Sequence, residues 1–338
     1  MKKAVYVVLM IFVSGCVSHK QDQKIPLPPP PVPAAPAYSA KPLEPALRAQ
    51  AIKELLTDVG SEDPFLRSNS IEALSDVDPS DAAVPILKGL TDPASPVRFS
   101  AAVSAGQLKL VEAYDPLRAM ADDPDLRVQA GVRFALHRLG DTRLSHDLEK
   151  LAAAPDPSVR GTTAMVLGLL KEPSATNILL TLLADPASTV RIQAAEALWR
   201  LGNERGLTDL VAFSISRYPD EQIIALRAIA APGDQRVTQH VRGDLKSDYI
   251  EVSLTAARSL GVLGSDEGWN IAVPVVQSKD PRQRALAALA MGAIGRSDLQ
   301  DYLATLLKDQ EQSVRISAAT AILQLQSPTQ YLSAQANR

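Results

Sequence analysis

The chain has 338 residues, 46% of them hydrophobic, with one cysteine, five Phe, seven Tyr and two Trp. A single cysteine excludes a disulfide scaffold, and a core this poor in aromatics must be aliphatic and alanine-rich, which suits packed helices and argues against an all-β sandwich. The 35 basic and 38 acidic side chains give a net charge of −3. That is far from the positive excess phosphate backbones require, so nucleic acid is not an expected partner.

The N-terminus reads as an export signal. Lys2 and Lys3 precede an apolar run from Ala4 to Val13, too short to span a bilayer as a helix, and small residues Ser14 and Gly15 lead into Cys16. This arrangement resembles the lipobox of bacterial lipoproteins, with Val13 standing where leucine is commonest. The resemblance implies removal of residues 1–15 and acylation of the Cys16 thiol, and several acyl chains on one residue suffice for stable membrane residence. With Val17 following the cysteine rather than the aspartate that retains lipoproteins, the implied address is the outer membrane, facing the periplasm. In an organism with one membrane it would be the cell membrane.

Residues 16–46 form the expected lipidated N-terminus and linker. Nine of the 25 prolines fall between Pro26 and Pro45, a composition that favours extended polyproline II geometry over a packed core. At about 3.1 Å per residue such a segment reaches on the order of 90 Å.

Residues 47–326 carry a strict 31-residue period, and residues 327–338 are left as a C-terminal tail. Stepping from Arg67 gives Arg98, Gln129, Arg160, Arg191, Gln222, Ser253, Arg284 and Arg315 without an insertion. Seven residues beyond these origins stand Leu74, Ala105, Leu136, Leu167, Leu198, Ile229, Leu260, Met291 and Ile322, all apolar. The apolar spacing within each unit predicts two amphipathic helices joined by a short turn. Asp-Pro pairs (Asp92-Pro93, Asp123-Pro124, Asp156-Pro157, Asp185-Pro186, Asp280-Pro281) are expected to open the second helix, and Gly140, Gly202, Gly233, Gly264 and Gly295 to end it in a left-handed residue. The fold class predicted is all-α: an α-solenoid of about nine helix pairs.

Segments such as DPASTVRIQAAEALWRLG and DQEQSVRISAATAILQL resemble HEAT repeats of the phycobilisome-lyase-like type. The resemblance implies second helices lining a concave face. An arginine in the first turn of a helix opposes the macrodipole, so Arg67, Arg98, Arg160, Arg191, Arg284 and Arg315 need acidic compensation. The expectation is a structural ladder to Asp92, Asp156, Asp185, Asp280 and Asp309, in which Arg315, with only the tail beyond it, matters less than Arg191.

No catalytic constellation emerges. The four histidines, His19, His137, His146 and His240, lack following glutamates; the one cysteine is assigned to lipid; and neither phosphate-loop nor nucleophile-elbow motifs occur. No cofactor and no metal are expected. The functional expectation is a membrane-anchored, non-catalytic scaffold that binds a protein partner in the cell envelope. A lyase-like enzyme or chromophore-binding accessory factor and a binder of cell-wall polymer are the alternatives. Candidate partner-binding residues come from irregularities in the repeat. His137 and Trp199 replace small residues eight positions after the origin. Five positions after it, Phe134, Met165, Arg227 and Arg258 are expected to be exposed. Gln222, Ser253 and Pro232 make the sixth and seventh repeats candidates for a changed stacking angle.

Overall fold

The computed structural model describes residues 41–77, 79–143 and 146–336; the expected export signal, Cys16 and most of the expected linker lie outside them. Among the described residues eighteen α-helices form nine consecutive pairs: α1 (Pro45–Asp58) with α2 (Pro64–Leu74), α3 (Pro79–Gly89) with α4 (Ser95–Leu108), α5 (Tyr114–Ala119) with α6 (Leu126–Arg138), α7 (Asp147–Ala152) with α8 (Pro157–Leu170), and α9 (Thr176–Leu182) with α10 (Ser188–Arg200). Then follow α11 (Glu204–Ser214) with α12 (Pro219–Ala230), α13 (Thr238–Gly243) with α14 (Ile250–Val262), α15 (Trp269–Val275) with α16 (Pro281–Ile294), and α17 (Gln300–Leu306) with α18 (Gln312–Gln324). The even-numbered helices pack on one another as an inner layer, and the odd-numbered ones cover them outside. No strand occurs among the described residues, and no helix there is long and apolar enough to cross a membrane. The fold is an all-α solenoid.

Local chemistry sets the helix ends. Asp63, Asp125, Asp156 and Asp280 accept the amide N–H two residues on, and Pro64, Pro157 and Pro281 fill the first turn, where no amide is needed. The five glycines eleven residues after the origin all take positive φ, from 75° to 97°. In the second and fourth repeats the same position holds Lys109 (φ 54°) and Lys171 (φ 59°). α12 ends at Ala230, so Pro232 stands beyond the helix rather than interrupting it.

The solenoid closes on itself. α1 packs on α18 as α3 packs on α2, α11 on α10 and α15 on α14, and α2 also touches α18. Leu47, Ala51 and Leu55 share one continuous core with Val314, Ala318 and Ile322. Polar contacts line this seam: Arg315 Nε donates to Glu54, Gln312 to Asp58, and Gln324 Nε2 to Asp76 at 3.3 Å. Lys41 meets Asp301 at 2.7 Å, and Gln300 clasps the backbone of Pro42 and Glu44. The residues expected as a plain tail form α19 (Pro328–Ala336), tied back by the Tyr331 hydroxyl, which donates to Asp266 at 2.9 Å.

The arginine ladder runs forward, to the aspartate of the next repeat. Arg67 grips Asp92, Arg98 grips Asp123, Arg160 grips Asp185 and Arg284 grips Asp309, each through two N–H bonds of 2.6–2.9 Å. The remaining N–H groups of each arginine reach carbonyls five and six residues back. Asp156 and Asp280, expected in the ladder, are helix caps instead. Where the arginine is lost, so is the aspartate 25 residues on: Gln129 faces Ala154, Gln222 faces Ser247 and Ser253 faces Ser278. These substitutes keep the bond to the carbonyl six residues back. Two arginines depart from the rule. Arg191 has Ser216 where the acid should be and lies over the Phe213 ring at 5.8 Å, whereas Arg315 bonds Glu54 across the seam. The expected ranking is therefore reversed, because Arg315 has a repeat beyond it: the first.

Two predictions follow from local geometry. Lys109→Gly and Lys171→Gly should each raise stability by about 1 kcal/mol, read as denaturant midpoint at constant m-value, because only glycine adopts the left-handed conformation without steric penalty. Arg160→Ala should cost about 2–3 kcal/mol by leaving the enclosed Asp185 carboxylate unpaired. Arg191→Ala should cost clearly less than either Arg160→Ala or Arg315→Ala, and equal midpoints for the three would contradict the ladder.

Candidate functional site

Ring closure turns the concave face into a central well. From the position five residues after the origin, Glu72, Glu196, Arg227 and Arg258, of the first, fifth, sixth and seventh repeats, come within electrostatic reach of one another there. Glu72 attracts both Arg227 and Arg258 from across the centre. Arg200 holds Glu196 at 2.7 Å. Burial lowers the proton affinity of the Arg227 guanidinium, with Glu196 and Glu72 opposing the shift. Burial and then the like charge of Arg227 do the same to Arg258. Both stay cationic near neutral pH, since an arginine starts from a very high value.

At the seam edge of the well, burial pushes the Asp76 carboxyl up to about 6, against the Gln324 hydrogen bond and the charges of Arg258 and Arg48. Asp58, also at the seam, is raised by burial, and its Oδ2 is enclosed without a partner. Sequence reasoning missed Glu72, Asp76 and Arg48. Glu72 stands at the same repeat position as Arg227 and Arg258 and could have been found by following that position back to the first repeat.

The candidate partner-binding residues divide. Arg227 and Arg258 are brought together in the well. Trp199, expected to be partly exposed, is 3% exposed, donates its indole N–H to the Ile229 carbonyl at 3.0 Å, and carries Arg236 over its ring at 5.4 Å. It fills the gap between α10 and α12, which touch over a shorter stretch than other inner helices consecutive in the chain. Phe134 is 1% exposed and packs against Gly106, and Met165 is buried but lines a cavity of about 240 Å³ beside α2, α4, α6 and α8. His137 is mostly covered, with Nε2 3.8 Å from Glu172 and Nδ1 enclosed without a partner. The expected exposure of Trp199, Phe134 and Met165 is thus corrected. A side chain at these positions faces either the next helix or the interior of the ring.

The pattern that defines HEAT repeats matches residues 49–137 and 145–230, more than half of the chain. The chain belongs to the HEAT repeat family. No curated protein matches this HEAT-repeat sequence. Among solved structures, the complex of CpcE and CpcF of phycocyanin lyase from Nostoc sp. PCC7120 is 22% identical, with 72% of this chain and 97% of that one covered and a TM-score of 0.44. Human deoxyhypusine hydroxylase in complex with glycerol is 17% identical over 87% and 98% of the two chains, with a TM-score of 0.34. The YibA protein of Escherichia coli is 20% identical over 77% and 99%, with a TM-score of 0.35. None of these likenesses carries a functional inference for this HEAT-repeat protein.

The Asp76 shift has a definite sign. The folded chain holds this proton more tightly (about 6) than the unfolded chain (3.8), so stability rises as pH falls through 6 and levels off near 3.8. The ladder carboxylates Asp92, Asp185 and Asp309 are lowered, so their contribution is present above the ordinary carboxylate value and is lost in stronger acid. Asp76→Asn should therefore raise the denaturant midpoint at pH 8, by on the order of 3 kcal/mol at most, by about half as much at pH 5, and leave it unchanged near pH 3, below the unfolded value. A difference that persists at about pH 3 would show that the side chain acts through packing.

Proposed function

We propose that this HEAT-repeat ring is a non-catalytic binding scaffold of the cell envelope, held at a membrane through acylated Cys16 and the proline-rich linker, with its mouth engaging a protein partner. The mouth is the edge where the inner helices begin. The observation that carries the reading is the set of large apolar side chains around it: Phe65, Leu126, Tyr218 and Tyr249 stand within four residues ahead of their repeat origins and are 39–51% exposed. Tyr218 and Tyr249 occupy the same position in adjacent repeats, and Arg217 stacks on Tyr218 with its centre 4.8 Å from the ring. Aromatic and arginine side chains on a rigid scaffold are the usual anchors of protein interfaces. The sixth and seventh repeats, where the ladder is absent, present both tyrosines.

Two measurements test the reading. Cys16→Ser should give a folded protein that leaves the membrane fraction, since the repeat domain needs no thiol; a variant that still sediments with membranes would refute lipid anchoring. Tyr218→Ser with Tyr249→Ser should abolish the partner crosslinked from a photoreactive residue at Ile215, with an unchanged thermal midpoint. Undiminished crosslinking would move the interface elsewhere on the ring.

A further inference from the structure

The cavity beside α2, α4, α6 and α8 has two chemically distinct linings. Phe65, Phe99, Val103, Met165 and Leu169 supply apolar surface, and Ser68, Ser100, Ser104, Gln107 and Thr162 supply polar atoms. The charges at its edge are already matched. Arg127 grips Asp125 through bonds of 3.0 and 2.6 Å, and Glu72 faces Arg227 and Arg258. A charged guest would find no uncompensated counter-charge, so the lining selects a neutral one.

The decisive feature is a pair of hydroxyls on buried residues that open into the cavity. Ser104 is 1% exposed and Thr162 5% exposed, both line the cavity, and neither hydroxyl has a hydrogen-bond partner among the described residues. The adjacent Thr163 shows the ordinary alternative, donating to the Val159 carbonyl at 2.8 Å. Ser68 and Ser100 bond each other at 2.8 Å, and the Ser68 hydroxyl donates to the Pro96 carbonyl at 3.4 Å, so this pair is already satisfied. With no partner among the described residues, the Ser104 and Thr162 hydroxyls are left for whatever fills the cavity, water or a guest that supplies hydrogen bonds in its place.

We infer that this cavity binds a neutral sugar residue, its C–H face on the Phe99 ring and its hydroxyls on Ser104 and Thr162. A pyranose has the two faces the lining requires, apolar C–H and polar O–H. A volume of about 240 Å³, filled at the density of protein interiors, takes roughly a dozen non-hydrogen atoms, the size of one hexose. The site shares Phe65 with the aromatic mouth but needs neither the paired tyrosines nor the lipid anchor. The sugar comes either free or as the end of a glycan.

Calorimetric titration of the full chain tests this with the methyl glycosides of glucose, galactose, mannose and N-acetylglucosamine, with maltotriose and chitotriose, and with octanol as an apolar control. At least one glycoside should bind saturably, and a trisaccharide binding as well as its monosaccharide would identify a glycan end as the source. Met165→Trp, which fills the cavity, should abolish binding. Thr162→Val should weaken the glycoside at least fivefold, leave octanol unchanged and raise the thermal midpoint of the free protein, because it removes an unsatisfied hydroxyl. A structural hydroxyl would instead lower the midpoint and leave affinity intact. Ser104→Ala repeats the test at the second hydroxyl. The inference is overturned if octanol binds and no glycoside does, if nothing binds and the cavity holds only water, or if glycoside affinity survives both Thr162→Val and Met165→Trp.

Discussion

The close approach of consecutive inner helices is the constraint on which the ring depends. A Cβ added at Gly106, Gly168, Gly261 or Gly292 would sit 2.5–2.7 Å from the backbone of the next inner helix, so these positions admit no side chain. Bringing the inner helices together while the outer helices keep full side chains between them bends the stack toward its inner face. With the bend repeated from pair to pair, α18 arrives against α1 and α2. The bulkiest residue at this position, Trp199, loosens the contact of α10 with α12 locally. It also supplies a hydrogen bond from its indole to the Ile229 carbonyl, which keeps the wider gap rigid.

On this curvature the ladder acts as a register lock. Each Arg–Asp pair joins a repeat to the next, while the carbonyl bonds of the same arginine fix the turn within its own repeat. The two functions separate in the sequence: Gln129, Gln222 and Ser253 keep the bond within the repeat and give up the one between repeats, and the partner acid is gone each time. Such paired loss is what the energetics demand. A carboxylate retained without its guanidinium would be enclosed and unpaired, at a cost larger than the pair contributes.

The sequence made the repeat, the helix pairs and the left-handed glycines legible, because each is encoded by residues within one 31-residue unit. Closure was not legible. Arg315 and Glu54, or Gln324 and Asp76, belong to opposite ends of the chain, and nothing in the period says how many repeats complete a turn. The fate of the candidate site follows from the same gap. In an open solenoid the positions of Phe134, Met165, Arg227 and Arg258 face a broad groove; in a ring they face one another or the neighbouring helix. Trp199 failed for a different reason: a bulky residue among glycines reads equally as a protruding anchor and as a wedge, and only the spacing of α10 and α12 decides between them.

Closure also explains why the interior is polar in two different ways. A ring brings opposite arcs within reach, so charges that would be isolated on an open surface can be matched across the centre, as Glu72 is with Arg227 and Arg258. Matching of this kind needs long side chains, which span the well. The short hydroxyls of Ser104 and Thr162 cannot span it, and they lie on the arc from the first to the fourth repeat, where the glycosidic ligand inferred above would sit. The same geometry that satisfies arginine and glutamate leaves serine and threonine open. An inner surface thus acquires a binding cavity from the length of its side chains, without any departure from the repeat that builds the ring.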